Sequence, residues 1–445
     1  MIDLKNLLDQ PERYKAACQV KGVQVDIDAL VVKKREQNQL AHERDELRHQ
    51  LNLGSGSGKP SAEQIIQLRL VKEQIKTLEQ KLGTLEQEIA ELLFQVPNPP
   101  LADVPEGPDE SGNKVIRSWG ELTKFNFEPK DHLALGEALG IIDTERAAKV
   151  TGTRFAYLKG AAAWLEFALI RYAFDLVTSE ERFRPLAEAV APGYPATPFV
   201  PVIPPVMIRP DALQKMARLE PKEERYYLQQ DDQYLIGSAE HTLGSMHMDE
   251  VFEEQQLPLR YIGFSTSFRR EAGSYGKDTR GILRVHQFDK LEMESFTTPE
   301  DSLREQEFFV KIQETLLQGL GLPYQVVMIC TGDMGGPDAR QIDLECWLPG
   351  HPSASGSPQS GSGQAGQGTY RETHTADLMT DYQARRLNTR VRRKSGELQF
   401  VHMNDATAFA IGRTLIAILE NYQQADGTVK VPKALQPYMP FSVIK

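Results

Sequence analysis

The residue types best suited to chemistry gather between residues 265 and 296. Phe268-Arg269-Arg270-Glu271 leads into a loop rich in Gly, Ser and Lys. Gly281-Ile-Leu-Arg284-Val-His286-Gln287-Phe288 follows, running on into Lys290-Leu-Glu292. Apolar residues flank the charges, in Leu259-Arg-Tyr261-Ile262-Gly-Phe264 on the way in and at Ile282, Leu283 and Val285 on the way out. That pattern predicts a strand, a long turn and a returning strand that begins at Gly281. Arg269, Glu271, Arg284 and Glu292 then sit within the strand pattern, where a buried charge is costly without a partner. A guanidinium fork suits phosphate oxygens, and a carboxylate accepts from an amino group. Arginine, carboxylate and aromatic on adjacent strands could cradle a nucleoside triphosphate. A surface hairpin laced with ion pairs would show the same spacing.

The longer string Phe268-Arg269-x-Glu271-Ala-Gly-Ser-x-Gly-x-Asp-Thr-Arg-Gly-Ile-x-Arg284-x-His286-Gln287-Phe288-x-Lys290-x-Glu292-Met293 resembles motif 2 of the class II aminoacyl-tRNA synthetases. Within that class it is similar to the seryl-tRNA synthetases of bacterial type. Ile411-Gly412-Arg413-Thr414-Leu415, opening an apolar helix that ends Leu419-Glu420-Asn421-Tyr422, resembles motif 3. The extended, proline-ended segment Phe199 to Ile208 resembles motif 1, which makes the dimer interface in the family. The similarity spans essentially the whole chain apart from one insert.

The resemblance implies ATP-dependent activation of L-serine to seryl-adenylate and transfer of serine to tRNA(Ser); it leaves open whether tRNA(Sec) is also served. It implies that Arg269 and Arg413 are the catalytic cations. Arg269 would hold the α-phosphate and the reacting carboxylate, and Arg413 the γ-phosphate. Glu271 would accept from the adenine amino group, Phe288 would stack on adenine, and Arg284 would reach the outer phosphates. Arg270, Thr373 and His374 complete the nucleotide set. Glu372 and Thr375 match a magnesium-binding glutamate and the oxygen ligand beside it, suitable hard-ligand chemistry, with Glu345 as a further acidic candidate. Serine would be held by Ser238, Ala239, Glu240, Arg269, Glu292 and Thr407, since a small polar pocket rejects larger or apolar analogues. His286 is expected to be structural.

The chain departs from the family pattern at several positions. Ser238 stands in place of threonine, Asp405 in place of asparagine, and Thr373-His374-Thr375-Ala-Asp377 replaces a Ser/Cys-rich run. Negative charge gathering at phosphorus calls for cations and metal rather than a nucleophilic side chain. Cys18, Cys330 and Cys346 have no paired spacing, so neither a disulfide framework nor zinc is expected.

Two rival functions stay in view. One is a synthetase-like paralogue that activates an amino acid for another acceptor, which would tend to lack the tRNA arm. The other is a non-catalytic RNA-binding relative, which would be expected to lose the phosphate-binding arginines.

The elements that must position these residues follow from pattern. Leu68, Val71, Ile75, Leu78, Leu82, Leu85, Ile89 and Leu92 form a heptad seam on a helix from about Ser61 to Phe94. A weaker seam, Leu30, Leu40, Leu47 and Leu51 with Lys33, Gln37 and Arg44 between, marks a helix from about Asp28 to Leu53. The Gly-rich stretch Gly54 to Pro60 must reverse the chain, which predicts an antiparallel helical hairpin rather than an oligomerising coiled coil. In the resembled family such an arm grips the variable arm of the tRNA. Proline-rich residues 96–117 read as a linker between an N-terminal domain, 1–95, and a catalytic domain, 118–445. The fold class expected is α+β, an antiparallel sheet flanked by helices and preceded by the coiled-coil arm. Residues 350–369 form a low-complexity insert, expected to be a flexible loop of which 351–368 is dispensable.

The 445 residues carry a formal net charge of −11, so any RNA contact must use local fields. The basic run Arg385 to Lys394 is one candidate surface. No stretch approaches the ~18 apolar residues of a membrane span, and the start has no signal-peptide shape. A cytoplasmic homodimer is expected.

Overall fold

A computed structural model of the chain describes residues 1–54, 61–272, 280–351 and 368–445. The chain divides into two compact units, Met1–Pro99 and Pro100–Lys445.

The first unit is helical. α1 (Leu4–Asp9) is N-capped by Asp3, whose carboxylate accepts from the amides of Lys5 and Asn6. α2 (Pro11–Val20) begins on a proline, which has no amide hydrogen to leave unsatisfied. Two long helices follow, α3 (Ile27–Gly54) and α4 (Ala62–Gln95). Ser61 and Gln64 form a reciprocal capping box at the head of α4. The seam of α4 buries Ile75, Leu78, Leu85 and Ile89 and ends on Leu93, one position beyond the expected Leu92. On α3 the polar positions Lys33, Gln37 and Arg44 are half-buried along with Leu40, Leu47 and Leu51. Lys33 meets Glu88 at 2.6 Å and Arg48 meets Glu79 at 2.7 Å. Early residues of α3 thus pair with late residues of α4, which makes the hairpin antiparallel. Residues 55–60 of the expected reversal lie outside the described residues.

The second unit is built on an eight-stranded sheet. Its strands are β1 (Lys114–Trp119), β2 (Val200–Val202), β3 (Leu259–Phe268), β4 (Gln287–Thr297), β5 (Tyr324–Met328), β6 (Arg340–Leu348), β7 (Thr369–Thr380) and β8 (His402–Ala410). They lie in the order β1-β5-β6-β7-β8-β4-β3-β2. Only the β2–β3 pair is parallel. The last residues of the expected linker, from Lys114, are therefore part of an edge strand. The returning strand begins at Gln287, not Gly281, because residues 281–286 are held by contacts other than a ladder.

Alternation sorts the two faces of the sheet. Leu291 and Met293 of β4, Ile342 and Leu344 of β6, Ala376 of β7 and Phe409 of β8 enter one large apolar core. α5 (His132–Ala138), α6 (Ala161–Val177), α7 (Glu180–Val190), α9 (Ser302–Leu320) and α10 (Ile411–Tyr422) bring Leu135, Leu165, Phe183, Phe309, Leu316 and Leu415 to the same core. The short α8 (Glu240–Gly244) lies between α7 and α9 in the chain.

Two bulges decide what the other face carries. Pairing of β6 with β7 slips between Leu344 and Glu345, and pairing of β4 with β8 slips between Leu291 and Glu292. Buried Gln313 of α9 donates through Nε2 to the carbonyls of Thr375 and Thr407, one beside each bulge. That contact supplies donors where the ladder is irregular.

Candidate active site

The polar face of the sheet gathers the charges. Lys290, Glu292 and Glu294 alternate along β4 and are all buried. Across β8, Thr407 stands opposite Glu292 and Asp405 opposite Glu294. Across β7, Asp377 stands opposite Asp405. On β6, Asp343 stands opposite Thr375 and Glu345 opposite Glu372. Glu372 and Thr375 are three residues apart, which on a regular strand would put them on opposite faces. The bulge at Thr373 restores them to one face. Thr373 and His374 are the residues displaced. Thr373 donates to the Leu344 carbonyl, and His374 Nδ1 lies 2.8 Å from Thr373 Oγ1 with its ring against Phe409. Burial pushes His374 down to about 3, so it is neutral. Both side chains expected in the nucleotide set are therefore in the interior, apart from the Glu372 carboxylate.

The hairpin of β3 and β4 assembles a cation site. The Arg269 amide donates to the His286 carbonyl at 3.0 Å, and its Nε donates to the Gly237 carbonyl at 3.1 Å. Its guanidinium lies 5.3 Å from the centre of the Phe288 ring. Glu271 has a left-handed backbone, φ 54°, and its carboxylate meets Arg284 at 3.1 Å. Arg413, at the start of α10, meets Glu372 Oε1 at 2.9 Å and donates to the Glu372 carbonyl at 3.0 Å. Arg270 turns away from this group. Its Nε donates to the Arg225 carbonyl and its guanidinium stacks 4.6 Å from the Tyr226 ring centre. Residues 273–279 of the loop are outside the described residues. His286 stands just ahead of β4, with Nδ1 3.1 Å from the Arg269 carbonyl oxygen, a structural place.

Beside it lies a smaller polar group. Lys290 Nζ donates to Ser238 Oγ at 2.9 Å and meets Glu292 at 2.6 Å. Burial pushes Glu292 up to about 8 against the pull of Lys290, with Glu240 and Asp405 adding to the rise. Burial alone would also raise Glu240, but the cations around it, Lys290 foremost, hold it well below the usual carboxylate range. Ala239 is buried at the head of α8, where its side chain packs and only its backbone is polar. One small group of atoms therefore combines an ionised carboxylate, a carboxyl that holds its proton near neutrality, and two hydroxyls.

The departures at Asp377 and Asp405 have a partner. Arg218 Nη2 lies 3.3 Å from Asp405, 3.5 Å from Asp338 and 3.8 Å from Asp377. Burial raises Asp405 to about 6 even so, and raises Asp377 well above its ordinary range. Sequence reasoning missed Arg218, Asp343 and the clamp role of Lys290. The alternating charges Lys290, Glu292 and Glu294 were the available signal, since three ionisable residues on one strand face demand partners.

The basic run, by contrast, is engaged by the body. Arg385 pairs with Asp381, Arg393 with Glu254 and Glu300, and Arg392 with Glu253, while buried Arg386 donates to the Tyr382 hydroxyl. Arg385, Arg392 and Arg393 thus have carboxylate partners, while Arg390 donates to Asn388 and lies over the Phe400 ring.

Three comparisons bear on this geometry. The family description "Seryl-tRNA synthetase N-terminal domain" matches residues 1–100, and "tRNA synthetase class II core domain (G, H, P, S and T)" matches residues 225–422. The chain is 39% identical to a serine--tRNA ligase of Dictyoglomus turgidum, over 100% of this chain and 99% of the relative. It is 40% identical to a serine--tRNA ligase of Thermotoga neapolitana, over 100% of both. A crystal structure of seryl-tRNA synthetase from Pyrococcus horikoshii complexed with ATP superposes with a TM-score of 0.83 at 36% identity, covering 100% of this chain and 99% of that one.

Proposed function

The chain belongs to the seryl-tRNA synthetases, and we propose the following assignment of its residues to the two steps of the reaction. The enzyme is a serine--tRNA ligase: it activates serine with ATP to seryl-adenylate and passes serine to tRNA. The observation that carries the residue assignment is the convergence of Arg269, Arg284 and Arg413 with Glu271 and Phe288 on the polar face of one sheet.

Arg269 is fixed by its contact with the Gly237 carbonyl and reaches the α-phosphate and the serine carboxylate, where charge develops as the anhydride forms. Arg413 and Arg284 exchange their present carboxylate partners for the outer phosphates. Glu271 accepts from the adenine amino group, and Phe288 stacks on the base, with Arg269 close by. Ionised Glu240 takes the serine ammonium. Glu292, Thr407 and Ser238 surround the serine hydroxyl, and Ala239 offers backbone only. A site this full of paired polar groups discriminates against an analogue that leaves them unpaired.

Magnesium fits the donor set. Glu372 and Thr375 offer hard oxygens on one face, with the Asp343 and Glu345 carboxylates beside them. Burial and Glu372 both raise Asp343 and Glu345, a strain that a divalent cation relieves. Bound there, the ion would neutralise the outer phosphates.

The division into an N-terminal tRNA-binding domain, a linker from 96 that ends before Lys114, and a catalytic domain is part of the proposal, with tRNA(Ser) held by the helical hairpin. So is a homodimer through the motif 1 surface, where Phe167 on α6 is 64% exposed and Ile203 just after β2 is 89% exposed. Apolar side chains this exposed suit a partner surface. No helix among the described residues is long and apolar enough to cross a membrane. A cytoplasmic location fits an enzyme that acts on tRNA.

The hairpin assignment is tested by replacing residues 33–92 with a short Gly-Ser turn. Serine activation should survive and tRNA charging should fall severely. In the intact enzyme, tRNA affinity should weaken as salt is added. Light scattering run beside these assays should show a dimer for both chains. Loss of the dimer with charging retained would make the hairpin an oligomerisation device and contradict the assignment.

A further inference from the structure

His132, the first residue of α5, is buried and uses both ring nitrogens. Nδ1 lies 3.3 Å from Glu420 Oε1, and the same oxygen accepts the His132 backbone amide at 3.0 Å. Nε2 accepts the backbone amide of Ile282 at 3.2 Å. An amide can only donate, so Nε2 presents a lone pair and Nδ1 carries the proton, which it gives to Glu420. Glu420 itself is buried in the last turn of α10, eight residues and about two turns beyond Gly412 and so on the motif 3 helix.

Ile282 marks where the chain returns from the motif 2 loop. Gly281 before it has φ 75°, and a Cβ there would run into His132 Nε2. The imidazole thus fills the space that a side chain at 281 would need. Strand pairing resumes only at Gln287, so the Ile282 amide is held by a side chain instead of a ladder. Two residues on, Arg284 reaches Glu271. The motif 3 helix is in this way tied to the motif 2 return through one oriented imidazole.

His351 joins the same carboxylate. Its Nδ1 lies 2.8 Å from Glu420 Oε1, and its ring stacks on His132 with centres 5.2 Å apart and planes at 4°. Two imidazoles and a carboxylate within 4.8 Å would also suit a divalent metal. A metal on His132 Nδ1 would move the ring proton to Nε2, where it would oppose the Ile282 amide. The geometry therefore favours hydrogen bonds over a cation.

We propose that His132, oriented by Glu420, is a positioning residue for ATP: it fixes the return of the motif 2 loop and through it the place of Arg284. The inference rests on the assignment of Arg284 to the ATP phosphates. Its test is serine-dependent exchange of pyrophosphate into ATP by the full chain, with ATP and serine varied in turn. His132→Phe keeps a ring and removes both hydrogen bonds. It should raise the KM for ATP about tenfold, the scale of the one hydrogen bond that holds Ile282, and leave the KM for serine within about twofold. His132→Gln, whose amide oxygen can accept from Ile282, should recover most of that loss. A folded His132→Phe enzyme with unchanged KM for ATP overturns the proposal. So does a parallel rise in both KM values that Gln does not recover. If the Phe variant fails to fold, deuterium exchange at the Ile282 amide of the unaltered chain decides: protection without ATP is expected, and an unprotected amide overturns the proposal. An unaltered chain with no serine-dependent exchange would instead remove the functional assignment itself, so the two failures are distinct.

Discussion

Glu345 and Glu372 stand directly opposite each other on neighbouring strands, two carboxylates in one cross-strand pair. Like charges so placed repel. Burial raises Glu345, and Glu372 adds to the rise. Arg413, 2.9 Å from Glu372, is the counter-charge at hand. If ATP takes Arg413 as proposed, the pair would need another cation, and magnesium is the one the oxygen donors suit. Glu372→Gln should lower serine-dependent exchange about a hundredfold and raise the magnesium concentration for half-maximal rate. Glu345→Gln should do less of both, and chelation should abolish exchange. A magnesium titration of the three enzymes checks this, and an unchanged titration curve for Glu372→Gln would rule it out.

Glu294 gives a pH-dependent stability. It is fully buried, and neither carboxylate oxygen has a hydrogen-bond partner among the described residues. Burial, with Asp405 and Glu240 adding, raises it well above the usual glutamate range. Its folded form keeps a proton that the unfolded chain releases. Above the ordinary glutamate pKa the folded state therefore binds more protons, and stability falls as pH rises. Glu294→Gln removes that loss. It should be near neutral at pH 4 and stabilise by roughly 1–3 kcal/mol at pH 8. Denaturant melts at the two pH values measure the difference; equal effects at both would contradict the ionisation argument.

The insert has sharper limits than its composition suggested. His351 is tied to Glu420, and Gly368 has φ 57° with its Cα so close to Trp347 that a Cβ would strike the indole. A deletion of 352–367 should leave melting temperature and serylation nearly unchanged. Extending it to 351–368 should lower the melting temperature by a few degrees, the scale of about 1 kcal/mol in a chain of this size. Equal melting for both deletions would show that the anchors are dispensable.

Much of the site was legible because motif 2 and motif 3 are contiguous strings whose charges have few other uses. The heptad seams were legible because periodicity survives polar interruptions: Lys33, Gln37 and Arg44 keep their register on α3. The faces of β7 were not. Glu372 and Thr375 share a face only because Thr373 is bulged, and a one-residue slip in pairing leaves no mark in composition. The returning strand was placed too early for a related reason: Gly281 to His286 read as an apolar-bearing strand, yet Ile282 is held by His132, far away in sequence. The partly paired basic run is the same lesson in charge. Arg392 and Arg393 find Glu253, Glu254 and Glu300 only through the tertiary fold.

The most direct test is serine-dependent exchange of pyrophosphate into ATP by the full chain, beside Arg269→Ala and Arg413→Ala. Exchange should require serine, with alanine and threonine poor substitutes. Each arginine variant should lose about a hundredfold or more while remaining folded, the scale of removing a preorganised charge from a developing phosphoryl anion. Exchange independent of serine, or wild-type rates in either folded variant, would contradict the assignment of this site to serine activation.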